Sequence, residues 1–264
     1  MVVRGIGSRL CLFQGSMQMP CDPTPSGSVA VDIWHWSLDD AFADEAHARA
    51  LLSADEVARV ARFVRDVDRR RSICARAGLR LVLAGYLNIA PEALRFAYNN
   101  WGKPELVDER LSFNLSHSGG EALLAVSRDA ELGVDIENIR PLTDDLARHF
   151  FSAAECRELA NLPEHERLPA FYRCWTRKEA FVKGHGAGLS LPLDGFDVSS
   201  QETDGHGLLL RLDTSIGLLD DWALLNLDVV DGFCAALAVH AQARVVRVDY
   251  RNRLAWSANM ASMT

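Results

Sequence analysis

Two short segments of this chain carry the same helix-start signature, and each is followed by the same order of elements. Ser53-Ala54-Asp55-Glu56 and Ser152-Ala153-Ala154-Glu155 share the Ser-x-x-Glu spacing, in which a serine and a glutamate satisfy each other's backbone N–H groups at a helix N-terminus. Each segment opens a helical region that gives way to short strand patterns. Such a repeat predicts an α+β pseudodimer, two similar α+β halves of roughly a hundred residues each packed around a shared cleft. Ligand sites favour such interfaces. Residues 1–28 read as a loosely ordered leader, with Met17 or Met19 as alternative starts, 29–137 as the first half, 138–250 as the second and 251–264 as a tail.

The folded part begins where Val29, Val31 and Ile33 alternate with small or polar residues, as a half-buried strand does. Helices are expected over Phe42–Leu52, from Ser53 through Phe63, and from Asp68 to Leu87, with Pro91 in the first turn of a short helix. Strands follow around Arg95–Tyr98, Ser112–Leu115, Ala122–Ser127 and Gly133–Glu137. In the second half a long helix covers Arg167–Gly184. Strands are expected after it near Gly195–Val198, Gly207–Leu212, Trp222–Leu227 and Phe233–Val239.

Composition narrows the function classes. The 264 residues are 48% hydrophobic with a net charge of −8, so the molecule as a whole has no electrostatic reason to bind nucleic acid. An anionic ligand must be held by a local basic patch. Six cysteines are scattered without a C-x-x-C, which reads as reduced thiols in a cytoplasmic protein. No segment has the length of a membrane span or the apolar run of a secretory signal.

The long second-half helix carries Trp175, Glu179 and Lys183 at i, i+4 and i+8, so a carboxylate and an ammonium project from one face above an aromatic. Alone, this is an ordinary surface salt bridge. A second acidic site changes its meaning. In Gly133-Val134-Asp135-Ile136-Glu137 the two carboxylates point to one face of a strand, roughly 7 Å apart at Cα. If the two segments meet, Asp135, Glu137 and Glu179 supply three oxygen ligands, a set suited to Mg2+ with water and phosphate in its other positions. The alternative is a strand that exposes an acidic edge.

Arg59, Arg62, Arg65, Arg69, Arg70, Arg71, Arg76 and Arg80 form a basic run inside this acidic chain. A solvated face balanced by Asp66 and Asp68 accounts for part of it; the rest suits a phosphate monoester or diphosphate. Lys103 sits on the turn Asn100-Trp101-Gly102-Lys103-Pro104, and Ser116-His117-Ser118 is read as a turn at a strand end, offering hydroxyl, imidazole and backbone donors to an anion. A hydrolase pair of Ser116 and His117 is disfavoured, because adjacent residues rarely reach each other as nucleophile and base.

Asn114-Leu115-Ser116-His117-Ser118, Gly133-Val134-Asp135-Ile136-Glu137 and Trp175-x-x-Lys178-Glu179-Ala180-x-x-Lys183 occur in the order and spacing of the 4'-phosphopantetheinyl transferases. The chain resembles the larger, pseudodimeric Sfp-type members from about Val29 to Ala241. The resemblance implies transfer of the phosphopantetheine arm of coenzyme A to a serine of an acyl, peptidyl or aryl carrier protein, with release of 3',5'-ADP. The setting implied is fatty acid, polyketide or nonribosomal peptide biosynthesis.

By the same resemblance Asp135, Glu137 and Glu179 hold Mg2+ against the pyrophosphate, and Lys183 contacts the phosphates and helps the leaving group. Lys103, Ser116, His117 and Arg71 bind the coenzyme A phosphates, with Arg59 a further candidate and Ser72 beside the nucleotide. Glu179 directly, or Glu155 through water, takes the serine proton; the helix cap already accounts for Glu155. Glu56 departs from the family pattern, standing where a basic residue is expected near the 3'-phosphate. The apo carrier protein is expected to dock transiently on apolar and basic surface that includes the aliphatic residues of Phe150–Leu162, and the pseudodimer to act as a monomer. Two other readings use the same residues: a different Mg2+-dependent enzyme acting on a nucleotide pyrophosphate, and a non-catalytic module that binds carrier proteins.

Overall fold

The computed structural model describes residues 27–40, 44–107, 111–142, 146–202, 208–242 and 244–251. The expected leader, apart from its last two residues, and the tail beyond Arg251 lie outside the described residues. The first half runs β1 (Ser28–Ser37), α1 (Glu45–Ala50), α2 (Ala54–Val60), α3 (Asp66–Leu87), β2 (Phe96–Tyr98), β3 (Pro104–Leu106), β4 (Ser112–Ser118) and β5 (Glu121–Ser127). The chain continues through β6 (Leu132–Asn138), α4 (Leu146–Phe150), α5 (Ala153–Asn161), α6 (Glu164–His185), β7 (Phe196–Val198), β8 (Leu209–Leu212), β9 (Trp222–Asn226), β10 (Phe233–His240) and β11 (Val245–Arg251).

The expected α+β pseudodimer is what the chain forms. One sheet has the order β11-β1-β5-β4 and the other β6-β10-β9, with two-stranded hairpins β2-β3 and β7-β8 beside them. β6, expected as the last strand of the first half, instead pairs with β10, Asp135 opposite Ala236, and so stands in the sheet of the second half. β11 returns to the first sheet and runs parallel to β1, where Arg251 Nε donates to Asp32 Oδ1 at 2.8 Å. Each sheet is thus linked by chain to both halves.

Alternation along the strands builds three apolar layers. Val29, Val31 and Ile33 of β1 share a core with Leu123 of β5, Val134 and Ile136 of β6, and Leu237 of β10. The other face of the first sheet packs Trp34, Trp36 and Phe113 against Leu79 and Leu83 of α3. The other face of the second packs Ala236 and Ala238 against Ala180 and Phe181 of α6.

The two long helices are each 22 residues and end on a left-handed residue, Asn88 at φ 53° and Gly186 at φ 79°, the usual helix stop. They approach their sheets differently. At Gly78 of α3 a β-carbon would meet the Trp36 ring at 2.7 Å, so an indole separates this helix from β1. At Gly133 of β6 it would meet the backbone of Ala180 and Gly184 at 2.2 Å. The missing side chain lets α6 lie directly on β6, and the site depends on that closeness.

Candidate active site

Asp135 and Glu137 project from β6 toward α6, which presents Glu179 and Lys183 one helical turn apart. Because α6 lies against Gly133, Lys183 Nζ reaches Asp135 Oδ1 at 2.5 Å and Ser116 Oγ at 3.0 Å. Ser116 Oγ also donates to Asp135 Oδ1 at 2.8 Å. The other oxygen, Asp135 Oδ2, is buried and has no hydrogen-bond partner among the described residues. Ser118 Oγ donates to Glu137 Oε2 at 2.7 Å, whereas Glu179 is half-buried and makes no hydrogen bond among the described residues.

Burial raises the pKa of both glutamates above the ordinary carboxylate value. At Glu137 the Ser118 hydrogen bond opposes the rise and the Asp135 charge adds to it. At Glu179 the Lys183 ammonium opposes it, and Asp135 and Glu137 add to it. Three carboxylates therefore feel one another, with a single ammonium among them.

Among the described residues no group of three or more His, Cys, Asp or Glu side chains stands ready to hold a metal ion; Lys183 is the cation on Asp135. The donor set still fits a hard divalent ion. It is all oxygen, it includes a buried oxygen without a partner, and burial disfavours the charged form of two of its carboxylates, which a cation would favour.

Glu179 and Lys183 open into a cleft of about 680 Å³ between the halves, lined from the first half by Trp101, Lys103 and Asn114 and from the second by Phe151. Asn99 builds the first-half wall: its Oδ1 accepts from the N–H groups of Trp101 and Lys103, and its Nδ2 donates to Gly186 O at the end of α6. Lys103 Nζ donates to Leu132 O at 3.2 Å, and burial lowers its pKa while Glu131 and Glu105 oppose the shift.

Ser116-His117-Ser118 is not a turn. All three residues lie in β4 and pair with Leu123, Ala122 and Glu121 of β5, and the turn is Gly119-Gly120. Alternation therefore splits the motif. Ser116 and Ser118 face β6, while His117 falls on the side of Phe113 and Leu115, toward α3. Desolvation, and then the Lys183 charge, lower the His117 pKa.

Arg71 lies near that side, its guanidinium 3.5 Å from where a Gly120 β-carbon would stand, and grips Asp39 with bonds of 2.8 and 2.7 Å. Ser72 is half-buried on the same helix. Arg59 stacks over the Tyr98 ring at 4.7 Å. Most of the basic run is paired with carboxylates: Arg65 and Arg70 at the surface, Arg69, Arg71 and Arg76 half-buried, and Arg80 buried.

Glu155 is not brought to the cluster, and the departure noted at Glu56 has a structural reason. Glu155, expected as a base through water, is 1% exposed, and its carboxylate accepts from Ser152 N, Val198 N and Lys178 Nζ. Glu56, in the place of an expected phosphate-binding base, is the buried counter-ion of Arg76 and Arg80 and caps α2. Two residues beside the cluster, Asn114 and Ser118, stood in the quoted motif but were given no individual role in the site. The signal was present, since Asn114, Ser116 and Ser118 stand on one face of a strand as Asp135 and Glu137 do.

Comparison with known proteins covers both halves. Residues 36–129 match the family described as 4'-phosphopantetheinyl transferase, N-terminal, and residues 131–237 match the 4'-phosphopantetheinyl transferase superfamily. The chain is 37% identical to the 4'-phosphopantetheinyl transferase HetI of Nostoc over 218 residues, 80% of this chain and 88% of that one. It is 32% identical to the 4'-phosphopantetheinyl transferase Sfp of Bacillus subtilis over 164 residues, 61% of this chain and 73% of the relative. To the 4'-phosphopantetheinyl transferase AcpT of Escherichia coli it is 42% identical over 110 residues, 40% and 55% of the two chains.

Proposed function

The chain belongs to the 4'-phosphopantetheinyl transferase superfamily, and from that premise we propose that it transfers the 4'-phosphopantetheine group of coenzyme A to a serine of an apo carrier protein. The observation that carries this reading is Asp135, sharing one oxygen with Lys183 and Ser116 and keeping the other buried without a partner, directly behind the Lys183 that lines a cleft between the halves. Such a group suits a pyrophosphate, whose charge needs cations on several sides.

Asp135, Glu137 and Glu179 would hold Mg2+, which when bound supplies neutralising charge to the pyrophosphate oxygens. The serine Oγ of the carrier attacks the β-phosphorus. The bond from that phosphorus to the oxygen bridging to the α-phosphorus breaks, and 3',5'-ADP leaves. Glu179 takes the serine proton, helped by a pKa that burial raises. Lys183 turns from Asp135 to the leaving phosphate oxygens.

Lys103, Ser116 and His117 bind the phosphates. Arg71 exchanges Asp39 for one of them, and Arg59 and Ser72 border the nucleotide. Phe150, exposed at the end of α4 and packed edge-on against Trp175 at 5.3 Å, belongs to the surface that receives the carrier. Because each half completes the same cleft, the protein acts as a monomer, and it works in the cytoplasm. No described helix is long and apolar enough to cross a membrane.

Intact-mass spectrometry of apo carrier proteins incubated with the protein, coenzyme A and Mg2+ tests the reading. A gain of one phosphopantetheine that vanishes with EDTA is expected. Unchanged carrier together with free phosphopantetheine or phosphate would replace it with another pyrophosphate chemistry.

A further inference from the structure

β6 is the edge strand of its sheet, so its N–H groups at Val134, Ile136 and Asn138 point away from β10. Unpaired edge groups in a buried setting need acceptors. They find them in side chains of the first half: Val134 N donates to Asn114 Oδ1 at 2.9 Å, Ile136 N to Ser116 Oγ at 3.4 Å and Asn138 N to Ser118 Oγ at 3.2 Å. β4 thus lies along β6 as a false partner, with alternate side chains in place of a backbone ladder.

A serine hydroxyl has one proton and two lone pairs. Each of the two serines accepts from the backbone at one residue and donates to the carboxylate just before it, Ser116 to Asp135 and Ser118 to Glu137. The same atom therefore sets the register of β4 on β6 and the direction of an acidic side chain.

We propose that Ser118 is a positioning residue of the transfer reaction: from the first half it fixes the Glu137 carboxylate of the second, making cation affinity depend on the registered contact of β4 with β6. The inference rests on the reading of Asp135, Glu137 and Glu179 as the cation-holding set. Glu137 has no other hydrogen-bond partner among the described residues, so without Ser118 its side chain is free to turn and must be ordered when a cation binds. Partners of this kind typically affect metal affinity about 10- to 100-fold when removed.

The test uses Ser118→Ala and Ser118→Thr in the full chain, with Mn2+ alone as probe and free Mn2+ followed by electron paramagnetic resonance, without coenzyme A or carrier. Ser118→Ala is expected to weaken Mn2+ binding about tenfold, and Ser118→Thr, which keeps the hydroxyl, to restore it. In steady-state assays the alanine variant should need more metal for half-maximal rate yet approach the wild-type rate at saturation. Amide exchange at Asn138 should quicken in Ser118→Ala while exchange at Val134 keeps its wild-type rate.

Wild-type Mn2+ affinity in Ser118→Ala, or failure of Ser118→Thr to restore it, would overturn the positioning role. Unchanged exchange at Asn138 would overturn the contact itself. Absence of Mn2+ binding by the wild-type protein would instead remove the cation reading, and exchange at Asn138 would still decide whether Ser118 joins β4 to β6.

Discussion

Lys178 Nζ lies 2.9 Å from Glu155 Oε2 in a contact sealed from solvent, and the same relationship recurs in the first half between Arg80 Nε and Glu56 Oε2 at 2.6 Å. Each glutamate closes the N-terminus of a short helix, and each cation comes from the long helix that follows. The remaining donors go to the loop beyond that helix, to Pro91 O and Leu94 O from Arg80 and to Leu193 O and Phe196 O from Lys178. Phe96 and Phe196 lie beneath the two cations. The repeat is therefore written in a buried ion pair as well as in the order of elements. It also explains Lys178: within the Trp175–Lys183 segment this lysine holds the fold, and its neighbour Glu179 faces the cleft.

Glu155→Ala should be a stability variant. It leaves a buried ammonium with carbonyl partners alone, and breaking a buried pair by removing one member costs about 3–5 kcal/mol. Urea unfolding is expected to show a loss of that size. The folded fraction should keep the wild-type shape of its pH–rate profile; a lost acidic limb would instead return Glu155 to proton transfer.

Glu56 gives the pair in the first half a pH signature. Burial opposes its ionisation, but the Arg76 charge, the Ser53 N–H and the hydrogen bonds from Arg76 and Arg80 outweigh it, so its folded pKa lies below the ordinary 4.5. A lowered folded pKa means stability that is present above the unfolded value and lost as pH falls through the folded one. Glu56→Gln should therefore be less stable than wild type at neutral pH, by about 3 kcal/mol, with the gap closing as pH falls below 4.5. Urea midpoints across an acid series check this, and a gap independent of pH would deny the linkage.

Local patterns were legible and long-range pairing was not. The serine caps, the strand from Val29 and the shared face of Asp135 and Glu137 follow from spacing alone, because capping and alternation are local geometry. β11 pairs with a strand at the other end of the chain, and nothing within Val245–Arg251 records that partner. Part of the arginine run was read as a solvated face balanced by Asp66 and Asp68 and the rest as a phosphate site; the pairs with Asp66 and Asp68 are present, and the other paired guanidiniums find Glu45, Glu56 and Asp39. These last three carboxylates lie on other elements, and only folding brings them to α3. Ser116-His117-Ser118 was misread as a turn because Gly119-Gly120 follows it directly; the strand simply continues to the last serine.

Gly133→Ala should separate α6 from β6. A methyl group would stand 2.2 Å from the backbone of Ala180 and Gly184, and backbone cannot step aside as a flexible side chain does. Overpacking commonly costs about 1–3 kcal/mol, and the rigid neighbours put this case at or above the upper end. A lower thermal midpoint is expected together with loss of transfer, since any retreat of α6 carries Glu179 and Lys183 away from Asp135. Full activity in a stable Gly133→Ala protein would show that the close approach is not needed.

Lys183→Met separates two roles of one ammonium. Lys183 is the cation on Asp135, at 2.5 Å. A divalent ion entering the same group must work against that charge, which solvent and salt screen but do not abolish. Methionine keeps much of the length and removes the charge. Mn2+ alone should then bind several-fold more tightly than to wild type, while transfer falls by about a hundredfold because the leaving phosphate loses a donor. EDTA should lower the thermal midpoint of Lys183→Met more than that of wild type, since in wild type Lys183 still faces Asp135 while in the variant the carboxylates face one another with no cation between them. Equal Mn2+ affinity in the two proteins would mean that the ammonium and the metal do not compete, and would limit Lys183 to the phosphates.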